Sequence, residues 1–338
     1  MPIVYSSILE EHNAVRTAVG MFDLSHMGQF IASGDAVAPW LDELTVNDVA
    51  SMRPNQARYN IFTNDAGGAH DDVIIYRLAG RWLIVVNASN TGKMWDLLSG
   101  SKPAGVSLEN RTERSSLIAL QGPRALEMLQ PLCDLDLATV RYYYAAETTV
   151  GGGKAEIART GYTGEDGFEV FLPAGVAVTL WDRFMREGKP FGLRPAGLGA
   201  RDVLRLEAGM PLYGHELEET ITPLQAGLDW AVKFAKQFTG KAALEAQHSE
   251  DRYDRIAGLV MDGKAPARAG YAVFWEGKPV GEVRSGSPAP SLGGKNIATA
   301  LVRKAASELG MRLEIEIRGA MHKATVVKLP FYKRQKGT

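Results

Sequence analysis

Apolar residues recur at helical intervals near the start of the chain, at Ile8, Val15 and Val19. They follow the capping-box spacing Ser7-Ile8-Leu9-Glu10 and run up to a Gly20 stop, which predicts a first helix. From Met21 to Gly34 the pattern turns extended, and Ala36 to Leu44 is helical again. Arg58 to Thr63, Asp72 to Leu78 and Arg81 to Val86 alternate as strands, separated by the turns Asn64-Asp65-Ala66-Gly67-Gly68 and Ala79-Gly80. Three strands in a row predict an antiparallel meander. Lys93 to Leu98 and Arg124 to Leu132 are predicted helices, and Gly151-Gly152-Gly153 a hairpin turn. Val176 to Arg186 and Pro195 to Glu207 are predicted helices too, the second with proline near its first turn.

Past Gln247 the character changes. Ile256 to Met261, Tyr271 to Trp275, Pro279 to Val283, Ile297 to Val302, Arg312 to Ile317 and Ala324 to Leu329 are short extended runs separated by Gly, Pro and Ser. Six such runs predict a small β-barrel or sandwich over 254–338, after a body over 1–248. The elements alternate without βαβ regularity, so the expected class is α+β with antiparallel sheets rather than a doubly wound parallel sheet.

Length and composition narrow the function. With 338 residues, 45% of them hydrophobic, the chain can bury sizeable cores in two or three folding units. A formal charge of −1 argues against nucleic acid as a partner. The apolar run Trp82-Leu83-Ile84-Val85-Val86 is far shorter than the roughly 18 residues of a membrane span, and the start has no signal-peptide pattern. A single cysteine, Cys133, excludes an internal disulfide and any multi-cysteine zinc site. A soluble, cytoplasmic protein is expected.

The motif search removes several chemistries. Thr239-Gly240-Lys241-Ala242 lacks the leading glycine and the hydroxyl of a P-loop, and Asp202 stands where a dinucleotide fingerprint starting at Gly197 needs its third glycine. There is no Gly-x-Ser-x-Gly elbow. His215-Glu216-Leu217-Glu218-Glu219 ends on Glu219 where a zincin helix needs histidine, and six scattered histidines give no metal cluster, so no metal is expected.

Four constellations remain. Asp71-Asp72 enters a strand, where alternation sends the two carboxylates to opposite faces. One of them would then meet apolar surroundings and have a perturbed pKa, against the alternative of a solvated pair. Arg159 to Gly167 packs three glycines around Tyr162, Thr163, Glu165 and Asp166. Such a loop either lets a flat ligand lie against backbone, with an outward Glu165 accepting two parallel N–H donors, or is a plain turn. Arg201 and Arg205 lie one helical turn apart, to bind a substrate carboxylate or to pair with Asp202 and Glu207. In Tyr142-Tyr143-Tyr144, strand alternation would set Tyr143 opposite its neighbours, as a stacking platform or an ordinary strand.

Taken in order, these segments resemble the folate-dependent aminomethyltransferase family, the T-proteins of the glycine cleavage system. The strings that carry the resemblance are Met21 to Gly28, Gly67 to Asp72, Val85 to Asn90, Ala119 to Pro123, Gly161 to Gly167, Gly197 to Gly209, Pro211 to Gly214, Ser285 to Gly293 and Val326 to Tyr332. They run nearly end to end. The resemblance implies a folate-binding region of two interlocked subdomains plus a C-terminal barrel, arranged around a central cavity that holds tetrahydrofolate. It makes Asp72 the essential carboxylate, gives Glu165 and Arg201 a role in holding folate, and lines the pterin pocket with Tyr59, Val85, Asn87, Tyr142, Tyr143 and Met27.

The implied reaction starts from an aminomethyl group carried on the lipoyl arm of the H-protein. Ammonia leaves, the one-carbon unit passes to tetrahydrofolate as the 5,10-methylene form, and a lipoyl thiol is freed. A carboxylate beside the attacking amine can orient it or move a proton. The same fold suits two alternatives, a tetrahydrofolate-dependent demethylase of a small methyl donor and a non-catalytic folate-binding accessory protein. A flavin-linked dehydrogenase would need the dinucleotide fingerprint missing here. Members of the family ordinarily carry a short leading segment before the Met-Pro at which this chain begins, so the expectation is either a truncated start or a protein that does without an element that helps close the fold. His70 replaces a usual aliphatic residue beside the aspartates. The tail bearing Lys328, Lys333, Arg334 and Lys336 is expected either to steer an acidic carrier protein or simply to fray.

Overall fold

The computed structural model describes residues 1–334, so Lys336 of the basic tail lies outside the described residues. By contact the chain divides into two units, one made of Met1–Asn60 and Asp71–Arg201, the other of Ile61–His70 and the chain from Asp202 onward. Mixed helices and antiparallel sheets bear out the α+β class, and among the described residues no helix is long and apolar enough to cross a membrane.

In the first unit the opening helix is Ile8–Thr17. The Ser7 hydroxyl accepts the Glu10 amide at 3.2 Å, as the capping spacing predicts. Its second residue of note is Glu11, wholly buried, whose carboxylate accepts the amides of Tyr5, Ser6 and Gly197 at 2.6, 2.8 and 2.8 Å. That one side chain ties the chain start to the segment before the helix Leu198–Glu207. The first helix stops at Thr17 rather than Gly20, because Val19–Asp23 is claimed by a sheet in which Gly20 pairs with Gln121.

That sheet has six strands in the order Leu193–Pro195, Val19–Asp23, Ser115–Gln121, Gly167–Pro173, Gly153–Ala158 and Ala145–Val150. Its covered face packs Met21, Leu120, Ile157, Phe168 and Val170 against Leu129, Leu180 and Phe184. Pro195 was expected in the first turn of a helix, but it ends the edge strand that pairs in parallel with Val19–Asp23, a place where a missing N–H costs little. The expected meander is present, Ala57–Thr63, Ala69–Leu78 and Arg81–Val86, extended by Gly28–Ser33 and Ser107–Asn110 into a second sheet of five strands.

In the second unit the six extended runs form a closed barrel, in the order Arg255–Met261, Lys295–Val302, Lys278–Ala289, Ala272–Trp275, Arg312–Ile317 and Ala320–Val327. Leu259, Val273, Val283, Ile315 and Val326 fill it. One strand is longer than its composition suggests. Ser285 to Ala289, which looked like turn residues, continue it after a register shift and pair with Thr299 to Lys295.

Candidate functional site

The strand Ala69–Leu78 alternates buried and half-buried positions at its start, so Asp71 is wholly buried and Asp72 is not. The predicted separation to opposite faces is nevertheless incomplete, because one amide reaches both carboxylates. Asn87, just past the end of the adjacent strand Arg81–Val86, turns its Nδ2 to Asp71 Oδ1 at 2.8 Å and to Asp72 Oδ1 at 2.9 Å. Its backbone N–H also donates to Asp71 Oδ2 at 3.1 Å, and Asn90 Nδ2 donates to Asp71 Oδ1 at 2.6 Å. Burial, and after it the Asp72 charge, push Asp71 up to about 7 against the pull of these donors.

Asp72 has a second donor. The Tyr59 hydroxyl, from the strand Ala57–Thr63, reaches Asp72 Oδ2 at 3.0 Å. Burial and the Asp72 charge hold the Tyr59 phenol well above its ordinary range, so Tyr59 stays a donor. Asp72 is thus gripped on one oxygen by a phenol and on the other by an amide.

Tyr142 and Tyr143 do not lie on a strand. They form a turn before Ala145–Val150, in which Tyr143 takes φ 60°. Its carbonyl accepts the Ala57 amide at 2.8 Å and its N–H donates to Arg159 O at 3.0 Å, which over-determines this uncommon conformation. The two rings meet edge to face with centroids 4.9 Å apart, Tyr142 exposed and Tyr143 half-buried. Burial raises the Tyr143 phenol, with Tyr142 and Glu169 adding to the effect. Glu169 itself accepts Tyr76 at 3.1 Å and Thr160 at 2.6 Å, a pair of hydroxyls that sequence reasoning missed.

The three-glycine loop is a built object. Gln121 donates its Nε2 to Thr160 O at 3.0 Å and accepts the Thr163 hydroxyl on Oε1 at 3.0 Å. A Cβ on Gly161 would stand 2.0 Å from Gln121 Oε1, and one on Gly167 would stand 2.4 Å from Leu120 O. These two glycines therefore make room for the protein's own side chain and strand, not for a flat ligand. Arg159 and Asp166 pair through two bonds of 3.0 and 2.5 Å and close the loop's base. Glu165 is not simply held outward. Arg16 Nη1 binds its Oε1 at 2.9 Å and Thr163 O at 2.7 Å, and Oε2 receives no hydrogen bond among the described residues. Arg16, 149 residues away in sequence, was invisible to spacing.

Arg201 and Arg205 part company. The Arg201 guanidinium lies 4.5 Å over the Tyr162 ring. Partial burial, and then the Arg201 charge, hold the His26 imidazole below its usual range. Arg205 is instead buried and paired, with Asp202 at 2.9 Å, Glu216 at 2.9 Å and Ser285 at 2.8 Å. The expected solvated pairing holds only in part, since Asp202 is a partner but the guanidinium is buried and reaches Glu216 and Ser285. Met27 follows His26 and precedes Gly28, which pairs with Val86, so Met27 sits at the strand end where Asn87 begins its turn. Val85 is buried two residues before Asn87 on the same face. His70 faces Glu219, with Nδ1 3.2 Å from its carboxylate.

Direct contacts therefore join Asp72, Tyr59 and Asn87, then Tyr142 with Tyr143, then Arg201 with Tyr162, while Glu165 is joined to Arg16. A cavity of about 880 Å³ lined by Gln29, Arg81, Leu83, Glu156 and Phe171 contains none of these residues. Among the described residues no three His, Cys, Asp or Glu side chains converge to hold a metal.

Comparison with known proteins gives a consistent result. Residues 1–236 match the GCVT N-terminal domain, and residues 255–333 match the glycine cleavage T-protein C-terminal barrel domain. The chain is 45% identical to an aminomethyltransferase of Geobacillus thermodenitrificans over 340 residues, which covers 99% of this chain and 93% of that protein. It is 42% identical to an aminomethyltransferase of Bacillus subtilis over 338 residues, with coverage of 99% and 93%. Among solved structures, the glycine cleavage system aminomethyltransferase T from Bartonella henselae superposes with a TM-score of 0.91 at 32% identity, covering 98% of this chain and 92% of that one.

Proposed function

Since this chain belongs to the glycine cleavage T-protein family and is an aminomethyltransferase, we propose that its acceptor is tetrahydrofolate and its donor an aminomethyl group on the lipoyl arm of an H-protein. The observation that carries the assignment of the centre to Asp72 is its double grip, Tyr59 on Oδ2 and Asn87 on Oδ1. Such a carboxylate is held in one rotamer and presented as a proton acceptor beside a reacting amine.

The residues fit a reduced pterin. Its amino and lactam groups offer N–H donors, and two acceptors here are uncommitted within the described protein, Glu165 Oε2 and Asn87 Oδ1. Arg16 fixes Glu165 so that its second oxygen can accept. Tyr59, Tyr142, Tyr143, Val85 and Met27 supply aromatic and apolar walls, and Arg201, stacked on Tyr162, supplies a cation for an anionic part of the folate. Tetrahydrofolate supplies the amine that takes up the one-carbon unit as ammonia departs. Asp72 orients that amine and holds its proton while Tyr59, a phenol kept protonated, remains a donor throughout. We place the folate-binding region in 1–248 and the barrel in 254–338, and the reaction in the cytoplasm.

Asp72→Asn tests the centre. The isosteric amide should bind tetrahydrofolate within about threefold of wild type yet lose turnover by 10²-fold or more, the order a general base contributes. The assay follows ammonia and methylenetetrahydrofolate from aminomethyl-loaded H-protein. Wild-type turnover in that variant removes Asp72 from the mechanism.

A further inference from the structure

Asn87 is surrounded on its nitrogen side. Its Nδ2 has three acceptors within reach, Asp71 Oδ1 at 2.8 Å, Asp72 Oδ1 at 2.9 Å and Asp72 O at 3.0 Å. An amide in that position has to put NH₂ towards the oxygens, so its own Oδ1 is the end that points elsewhere. Asn87 is half-buried, and its Oδ1 has no hydrogen bond among the described residues. Asp71 is the member of this set whose role the transfer chemistry leaves open. It is wholly buried and receives three N–H donors, two from Asn87 and one from Asn90.

We infer that Asp71 is a positioning residue for Asn87, whose amide it locks with nitrogen inward so that Oδ1 faces the pocket as an obligate acceptor for a ring N–H of the ligand. The Asp71 carboxyl accepts on both oxygens, on Oδ2 from the Asn87 backbone and on Oδ1 from the Asn87 and Asn90 amides. Holding the Asn87 backbone N–H on Oδ2 and its side-chain amide on Oδ1, Asp71 leaves Asn87 neither free to swing nor free to flip. Asn90, itself buried, fills the remaining acceptor position of Oδ1 and keeps the carboxylate from rotating away. The result is a filter by chemical class. A heterocycle that offers N–H at this point gains a bond, whereas one that offers a lone pair meets an oxygen and leaves two acceptors facing each other. The inference rests on Asn87 lining the folate pocket.

The experiment measures equilibrium binding of tetrahydrofolate to the full chain, and steady-state kcat and KM with aminomethyl-loaded H-protein, for Asp71→Asn, Asn87→Ala, the double variant and Asn90→Ala. Asp71→Asn cannot satisfy both the backbone and side-chain donors of Asn87, because one of its two positions is now NH₂. It should weaken folate binding about tenfold, with the loss falling on KM more than on kcat. Asn87→Ala should weaken binding by a similar factor or more, and Asn90→Ala about threefold. The decisive reading is the cycle. If Asp71 acts through Asn87, the double variant binds no more weakly than Asn87→Ala alone. Full additivity, or wild-type affinity in a folded Asp71→Asn, overturns the positioning role while leaving the folate assignment of Asn87 intact. Wild-type affinity in Asn87→Ala overturns that assignment, and the positioning role with it.

Discussion

Asp71 and Asp72 are adjacent in sequence and share one amide, yet the fold treats them differently. Asp71 is sealed from solvent, and burial beside Asp72 raises it to about 7 from its ordinary value of 3.8. A folded-state value above the unfolded one means that the native protein holds this proton more tightly. The stabilising contribution is therefore complete below about pH 4 and is lost as pH rises to about 7. A shift of this size corresponds to about 4 kcal/mol across the window. Asp71→Asn, which cannot ionise, lacks that slope, so the stability difference between variant and wild type should shift in the variant's favour as pH goes from 4.5 to 7.5. Urea unfolding at several pH values checks this, and a difference that stays flat contradicts it. Glu165 gives a second prediction at this scale. Its Oε1 is spoken for by Arg16, so Glu165→Gln should weaken folate binding about tenfold, because a donor then faces donors, and Arg16→Ala should weaken it by a similar factor through loss of orientation. Unchanged affinity in both excludes the pair from the pocket. Asp72 and Glu165 were legible in the sequence as candidates because they sit inside dense local strings. Arg16 was not legible, because its partner is 149 residues away and only the closed fold brings the two together.

At the level of elements, the legible features were those whose signal is local. Ser7 caps the first helix as its spacing says, the meander strands alternate, and the six barrel runs all become strands. The failures share a cause, which is pairing that outweighs composition. Gly20 and Pro195 both look like punctuation but lie in paired strands, and Ser285 to Ala289 continue a strand because Lys295 to Thr299 lie alongside. Tyr142 and Tyr143 look like a strand and are a turn, since Ala57 and Arg159 bind the Tyr143 backbone at φ 60°. The helix Lys241–Glu250 buries only Leu244, so it has no apolar stripe to read. The loop Arg159 to Gly167 yields a test of what its glycines are for. Because Gly161 abuts Gln121, Gly161→Ala should push Gln121 off the Thr160 carbonyl and Thr163 hydroxyl. A loss of about 2 kcal/mol in stability is expected from such overpacking. Folate binding should fall with it, and Gln121→Ala in the same background should recover part of the stability by removing the clash. If the double variant is no more stable than Gly161→Ala, the glycine serves something other than Gln121.

Across the whole molecule the formal charge is −1, yet single charges are far from evenly solvated. The clearest case lies within the second unit. Arg205 is 1% exposed in its side chain and Glu216 4%, at a separation of 2.9 Å. Burial opposes the Glu216 charge, but Arg205, followed by Thr299 and the Leu212 amide, holds its carboxyl below the usual range. Arg205 also donates to Ser285, and Glu216 accepts from Thr299, so the segment Asp202 to Glu207 is bonded to two strands of the barrel by charge-assisted links. The same glutamate had looked, by sequence, like part of an aborted metal-binding helix. Breaking such a pair on one side strands the other charge in a medium that cannot solvate it, whereas removing both charges is far milder. Arg205→Met should therefore cost about 3–5 kcal/mol, read from urea unfolding midpoints, and adding Glu216→Gln should restore a large part of it. Two additive losses would mean that the ion pair contributes through shape and packing alone. A restored double variant would instead show that the pair specifies which partners the segment Asp202 to Glu207 takes within its own unit, with little net stability of its own.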